Sequence, residues 1–495
     1  MSPSSKPSPT TSNSYPQRWW GLTVLCVAVA VLAIDTTVLN FAIPAINSSL
    51  QPSATQTLWI VDVYAFVLAA LLVTMGTLGD RIGRRRVLLI GAACFGVASV
   101  IAGVSTSAEM LIAGRALQGA AGATLMPSTL SLIRTMFQNP GERGRAISIW
   151  VSVYSMGAAA GPLLGGFLLQ FFHWGAVFFI NVPLVIVMIL GGVKYLPSSR
   201  SAEPQPFDLT GAMLSILALF SLVYAVKVIP VEGPSLIGLA TGLVAVVAGF
   251  LLLRHLRLAS HPLIDISLMS NPVYATMVTV NGLSMFLYVG VLFYLSQYLQ
   301  VVLGFPAITA GALMVPGLLM SMLAALVTGR VMSRYPARTL LIIALSITVV
   351  ASCLLGLDAY GALEHSAFWL AFAFAVFGTG VGMVDPVSND YIIAAAPPDR
   401  VGAAASISET GYELGGAFGT AILGSILMAV YGSGVPEAIG DSVSAAHATG
   451  DASLIALADA AFRNGVVASS AVAAATAIVI AIVVARFVPR DVALV

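Results

Sequence analysis

Charge is what this sequence lacks. Of its 495 residues 9% are Asp, Glu, Lys or Arg, while 58% are hydrophobic. A soluble globular protein covers itself with charged side chains, and this chain does not have enough of them. Net charge is +1, so no basic excess marks a nucleic-acid partner. The three cysteines, Cys26, Cys94 and Cys353, each fall inside an apolar run, which excludes a disulfide framework and a thiolate metal site. Nucleotide-loop, zinc-ligand and nucleophile motifs are missing, so neither an enzyme nor a cofactor or bound metal is expected. The ten-residue alternating segments of a membrane barrel are absent as well. The first 17 residues, rich in Ser, Pro and Thr, lack the apolar core and cleavage site of a signal peptide.

Long apolar runs are what the chain has. A membrane-spanning helix needs about 20 mostly apolar residues. Fourteen such windows lie between residues 20 and 487, the last three near 366–393, 402–430 and 465–487. With the N-terminus placed in the cytoplasm, 19 of the 22 Lys and Arg residues fall on the cytoplasmic side; Arg115 lies within a span, and Lys227 and Arg463 fall outside. This positive-inside pattern puts both termini in the cytoplasm. The expected organisation is a disordered tail over 1–19, a six-helix half over 20–200, two inserted helices over 201–255 and a second six-helix half over 256–495. The second half carries a long outer loop at 431–464, in which 452–462 has the pattern of a short interfacial helix or a solvated loop.

A faint internal repeat supports two related halves. Shifted by 253 residues, Gly76 falls on Gly329, Arg81 on Arg334 and Arg85 on Arg338. Shifted by 258, Gly157 falls on Gly415, Gly161 on Gly419 and Gly166 on Gly424. Repeated halves flanking a midplane site are the plan of alternating-access transporters.

Against this apolar background, four carboxylates stand inside spans: Asp35, Asp62, Glu409 and Glu413. An acid at the centre of a membrane helix costs about 2.5–3.5 kcal/mol on insertion scales, so it marks a water path, a cation partner or a proton carrier. Glu409 and Glu413 are four residues apart and share a helix face. Two like charges so close in low dielectric do not both stay ionised cheaply, and the pair titrates as a unit. A lipophilic cation beside them favours ionisation and expels a proton. Asp35 and Glu413 are expected at mid-span, Glu409 nearer the cytoplasm and Asp62 near the outer mouth. Asp385 and Asp390 lie lower in the twelfth window, with a place in the cavity left open. Ring faces attract desolvated cations, which makes Tyr64, Trp150, Phe286, Phe293, Tyr294 and Tyr412 candidates for the substrate site. The lone Arg115 calls for an acid or backbone carbonyls as partners.

Several strings carry a family resemblance. Gly76-Thr-Leu-Gly-Asp80-Arg81-Ile-Gly83-Arg84-Arg-Arg resembles the loop between the second and third helices of the major facilitator superfamily. Leu111 to Ala123, with Arg115, resembles its fourth-helix motif. Gly157-Ala-Ala-Ala-Gly161-Pro162-Leu-Leu-Gly165-Gly resembles the fifth-helix signature of its antiporters. Ile34-Asp-Thr-Thr-Val-Leu-Asn-Phe-Ala-Ile-Pro44, Trp59 to Tyr64, Phe178 to Pro183 and Ser408 to Gly416 are similar to motifs of the fourteen-spanner drug:proton antiporters, nearest the quaternary-ammonium efflux pumps. Some of those pumps carry an acid in the tenth helix; residues 307–330 here hold none.

The resemblance implies an all-α membrane protein of the major facilitator fold and a proton-coupled antiporter exporting lipophilic cations from a bacterial inner membrane. It implies proton coupling by Asp35, Glu413, Glu409 and Arg115. It also implies a conformational role for Gly76, Asp80, Arg81, Gly83, Arg84, Gly157, Gly161, Pro162 and Gly165. The partners expected are lipophilic cations, protons and the bilayer, with no nucleic acid, and the protein is expected to be a monomer. Two other readings stand beside it: export of an endogenous metabolite or antibiotic, and a non-transporting membrane sensor or scaffold.

Overall fold

The computed structural model describes residues 15–198, 208–232, 235–259, 262, 266–332, 334–361, 367–395, 401–436, 443, 446 and 450–489. Among these residues there are no strands, and fourteen helices have 15 residues or more. They are α1 (Arg18–Leu50), α2 (Ala54–Ile82), α3 (Arg84–Gly103), α4 (Ala108–Met136), α5 (Pro140–Phe171) and α6 (Asn181–Tyr195). The inserted pair follows as α7 (Leu209–Glu232) and α8 (Leu236–Leu258). The remainder are α9 (Pro272–Gln297), α10 (Ala307–Val331), α11 (Ala337–Tyr360), α12 (Ala367–Ala394), α13 (Val401–Gly434) and α14 (Ala452–Phe487). Thirteen of these helices, α6 counted together with the turn Ala176–Phe179 that leads into it, are long and apolar enough to cross a membrane. The exception is α4, whose Arg115, Gln118, Ser128 and Thr129 are all buried.

The helix-pairing pattern of α1–α6 recurs in α9–α14. Helix α1 lies on α5 as α9 lies on α13, α2 on α4 as α10 on α12, and α3 on α6 as α11 on α14. In lipid the drive between helices is close packing, which small residues permit. At Gly161 a Cβ would collide with Thr37, and at Gly165 it would stand 3.0 Å from Val38 Cγ2, so α5 presses its glycines onto α1. At Gly415 and Gly419 a Cβ would collide with the backbone of Gly282 and Phe286 on α9. The sequence repeat therefore marks the same contact in each half. Gly83, with φ +110°, makes the turn between α2 and α3.

The start of α3 meets the ends of α4 and α6 at one end of the first half, called here the basic face. There Arg84 donates to Thr135 Oγ1 at 3.4 Å and to Ser131 O at 3.5 Å, tying α3 to α4. Arg85 donates to Val193 O of α6. Asp80 and Arg81 occupy the last turn of α2; the side chain of Asp80 lies outside the described residues.

Contacts between the halves cluster toward the opposite, far face. Gly166 of α5 abuts Ile308 of α10, and Gly311 abuts Pro162. Leu58 of α2 closes on Gly424 of α13, Phe66 packs edge-on to Phe418 at 5.6 Å, and Ser296 donates to Asn40 O at 3.2 Å. The halves meet at that end.

Two sequence expectations are corrected. Arg18 and Trp19 belong to α1, not to a disordered tail, because Arg18 grips Glu142 of α5 with two bonds of 3.0 and 3.1 Å. Tyr15 to Gln17 lead into the helix, and residues 1–14 lie outside the described residues. Residues 452–462 form neither an interfacial helix nor a loop; they begin the 36-residue α14. Asp451 caps that helix through Ser453 N and Leu454 N, and Phe462 packs against Tyr431, so the loop over 431–464 shortens from both ends. The sixth apolar window holds one candidate span, Ala176–Tyr195, in which a short turn at Ala176–Phe179 leads into α6.

Candidate substrate and proton site

Asp35 sits midway along α1 and is 1% exposed. The hydroxyls of Thr36 and Thr37 turn back onto Leu32 O and Ala33 O, so they do not compete for it. Arg115 of α4 donates to Asp35 Oδ2 at 2.6 Å. Gln118, one turn along the same face of α4, donates to Asp35 Oδ1 at 3.2 Å and accepts from Arg115 at 3.0 Å. Asn181 donates to Oδ1 at 2.8 Å from the first turn of α6. Ser99 of α3 accepts from Gln118 at 2.9 Å. The guanidinium also donates to Ile60 O at 3.3 Å and lies 4.5 Å from the Tyr64 ring centroid and 5.9 Å from that of Phe178. A buried charge survives only when paired and bonded in this way. Gln118, Asn181 and Ser99 are absent from the sequence-derived set. Asn181 was visible as a lone amide in an apolar run; Ser99 carries no signal, since serines are common in spans.

The second half presents a different set. Glu409, Tyr412 and Glu413 on α13 and Asp385 on α12 are all partly accessible although they lie deep within their helices. Among the described residues none of the three acids forms an ion pair. Three tyrosines lie near them. Tyr154 of α5 lies within electrostatic reach of Glu413 and Glu409, Tyr412 of Asp385, Glu409 and Glu413, and Tyr288 of α9 of Asp385. Tyr64 links the halves, lying within reach of both Asp35 and Glu413. These side chains come from α2 and α5 in one half and from α9, α12 and α13 in the other. Asp385, left open by the sequence, joins this group, and Tyr154 and Tyr288 are additions that spacing alone did not single out.

Other candidates lie elsewhere. Phe293 and Tyr294 have no exposure; Phe293 closes on Gly424, and Tyr294 shares a 3.0 Å hydrogen bond with Ser470 of α14. Phe286 is buried in the same core. Packing between α9, α13 and α14 accounts for all three, and the structure does not bring them to the acids. Trp150 is 7% exposed and one turn before Tyr154, on the same face of α5; its indole N–H finds no acceptor among the described residues. Asp62, 1% exposed, lies in the stripe Leu58, Asp62, Phe66, which faces α13, whereas Tyr64 faces α4. Trp59 beside it stacks on Phe220 of α7 at 6.3 Å, so the inserted helix covers this seam. No cluster of three or more His, Cys, Asp or Glu suited to a metal occurs among the described residues.

Comparison with known proteins agrees with this architecture. Residues 25–420 match the Major Facilitator Superfamily. The multidrug efflux pump LfrA of Mycolicibacterium smegmatis is 41% identical, over 96% of this chain and 97% of that protein. The methyl viologen resistance protein SmvA of Salmonella typhimurium is 34% identical, over 83% of each. A bacterial homologue of the human lysosomal transporter Spinster, solved in an inward-facing and occupied conformation, superposes with a TM-score of 0.68 at 16% identity, over 96% of this chain and 98% of that one. The chain belongs to the Major Facilitator Superfamily and is a membrane transporter, not an enzyme.

Proposed function

We propose that this protein is a proton-driven antiporter that exports lipophilic cations by alternating access. The reading rests on one observation above all. Glu409, Glu413 and Asp385 stand partly accessible, form no ion pair among the described residues, and lie within electrostatic reach of Tyr154, Tyr288 and Tyr412. Acids so placed share protons to lower their mutual repulsion, and a cation bound among them takes over that role and releases a proton. The ring faces of Tyr154, Tyr288 and Tyr412 hold the desolvated cation. Trp150, Tyr64 and Asp62 complete the expected set, Asp62 from the far-face seam.

The basic face is cytoplasmic on this reading, with both termini there, and the far-face contacts close the site from outside. A cation enters from the cytoplasmic side or inner leaflet, the halves rock about the site, and protons from outside displace it. The turn from Gly76 to Arg84 and the Gly157–Gly165 face on α5 form the conformational parts. The names of the relatives, a multidrug efflux pump and a methyl viologen resistance protein, favour a toxic cation as cargo. The setting proposed is a bacterial inner membrane, and the unit a monomer.

The test is proton release from purified, weakly buffered protein on addition of ethidium or a quaternary ammonium compound. Release that saturates with the cation and falls away in Glu413→Gln is expected. Cation binding without release would overturn the antiport reading.

A further inference from the structure

The bonding around Asp35 is one-sided. An ionised carboxylate only accepts, and all three side chains bonded to it turn an N–H toward it: Arg115 at 2.6 Å, Asn181 at 2.8 Å and Gln118 at 3.2 Å. A protonated Asp35 needs an acceptor for its new O–H. The Gln118 carbonyl is already taken by Arg115 at 3.0 Å. Ser99 Oγ already receives Gln118 at 2.9 Å and lies 3.4 Å from Asn181 Nδ2. Asn181 Oδ1 alone among these amide oxygens has no donor among the described residues, and Asn181 has no exposure. A buried, empty acceptor at the end of an amide that already touches the carboxylate calls for an explanation.

We propose that Asn181 is a positioning residue that lets Asp35 take up and give back a proton by reversing its side-chain amide. With Asp35 ionised, Nδ2 donates to Asp35 Oδ1. When one proton arrives on Oδ1, the amide turns over, Asn181 Oδ1 accepts the new O–H, and the NH2 group moves to the place the oxygen left. The terminal torsion of Asn has broad wells, so the turn needs no backbone movement. No other group changes charge. Arg115 keeps its proton and its bond to Oδ2, and Ser99 stays bonded to Gln118. The charged and titratable groups facing Asp35 are Arg115 from α4 and Tyr64 from α2, with Glu413 of α13 beyond Tyr64. The switch rests on the reading that Asp35 is a coupling site.

Infrared difference spectroscopy of the intact protein, taken as a pH titration, tests it. A carboxylic-acid band that disappears in Asp35→Asn should rise together with a change in an asparagine amide band, identified by isotope-labelled Asn and lost in Asn181→Leu. An Asp35 acid band that rises with no asparagine change overturns the switch. No Asp35 acid band at any pH overturns instead the coupling role on which it rests. Transport gives a second arm in proteoliposomes. Asn181→Leu, close in shape but unable to donate or accept, should lower proton-gradient-driven ethidium efflux about tenfold, the size of one lost buried hydrogen bond. Cation counterflow without a gradient should stay within about twofold, and Asn181→Ser, whose hydroxyl turns both ways, should recover most of the driven rate. Equal loss of driven efflux and counterflow would assign Asn181 to packing.

Discussion

The two halves share a packing plan and treat their acids in opposite ways. In the first half Asp35 is buried, clamped by Arg115 and two amides. In the second half Glu409, Glu413 and Asp385 are partly accessible, have no ion pair among the described residues and have tyrosines within electrostatic reach. A clamped acid stores order: it changes state only through the groups bonded to it. Unclamped acids respond to whatever charge enters beside them. A symmetric scaffold thus carries an asymmetric site, which suits the proposed antiport, with one half answering cargo and the other the proton gradient.

The largest expected effect breaks the clamp. Arg115→Met leaves Asp35 buried without its counter-charge and should cost about 3–5 kcal/mol of stability, read as a lowered unfolding midpoint in detergent. Glu413→Gln removes no ion pair and should stay within about 0.5 kcal/mol of the parent while losing proton release. If both variants destabilise alike, the contrast between the halves collapses.

The shared plan can be tested next. Gly161→Ala on α5 and Gly419→Ala on α13 push a Cβ into the partner helix of each half. Each should cost about 1–3 kcal/mol as overpacking. A large cost in one half and none in the other would show that only one of these contacts is tight.

A smaller effect concerns cargo. Tyr154→Leu should weaken binding of an aromatic cation about 2- to 30-fold, the range of a desolvated cation–ring contact, with the proton gradient unaffected. Fluorescence titration with ethidium reads this, and unchanged affinity would remove Tyr154 from the site.

The smallest effect lies where the halves differ in length: α14 has 36 residues and its counterpart α6 has 15. The Ser453 hydroxyl and N–H, with Leu454 N–H, hold the exposed Asp451 carboxyl below the usual carboxylate range. A lowered native value means that the cap contributes fully above the ordinary value of about 3.9 and is lost as pH falls through the lowered one. Hydrogen exchange over 452–462 should therefore show the same opening equilibrium from pH 8 to 5. Asp451→Ala should raise it throughout that range.

Much of the fold was legible. Apolar run length marked the spans to within a few residues, since a membrane leaves a helix no alternative to satisfying its own backbone. The far-face end of α14 was not legible. Its alanine-rich start has too little apolar character to be read as part of a span, and only its packing on α13 makes it continuous. The site was legible by residue type. Asp35, Glu409, Glu413 and Arg115 stood out because charge is rare, whereas Tyr154, Tyr288, Gln118 and Asn181 are polar side chains of kinds found throughout such helices.

By itself the sequence determined the number of spans, the face that gathers basic charge, the internal repeat and the short roster of acids. All of these follow from local cost: a charge or a polar run in lipid is expensive wherever it falls. Only the tertiary structure decided which acid is paired and which is not. It turned Phe293 and Tyr294 into the core, set Asp62 in the seam between α2 and α13 and brought Asp385 to Glu409. Those outcomes depend on which faces of distant helices meet, and side-chain direction across a helix interface is set by packing, not by the order of residues along one chain.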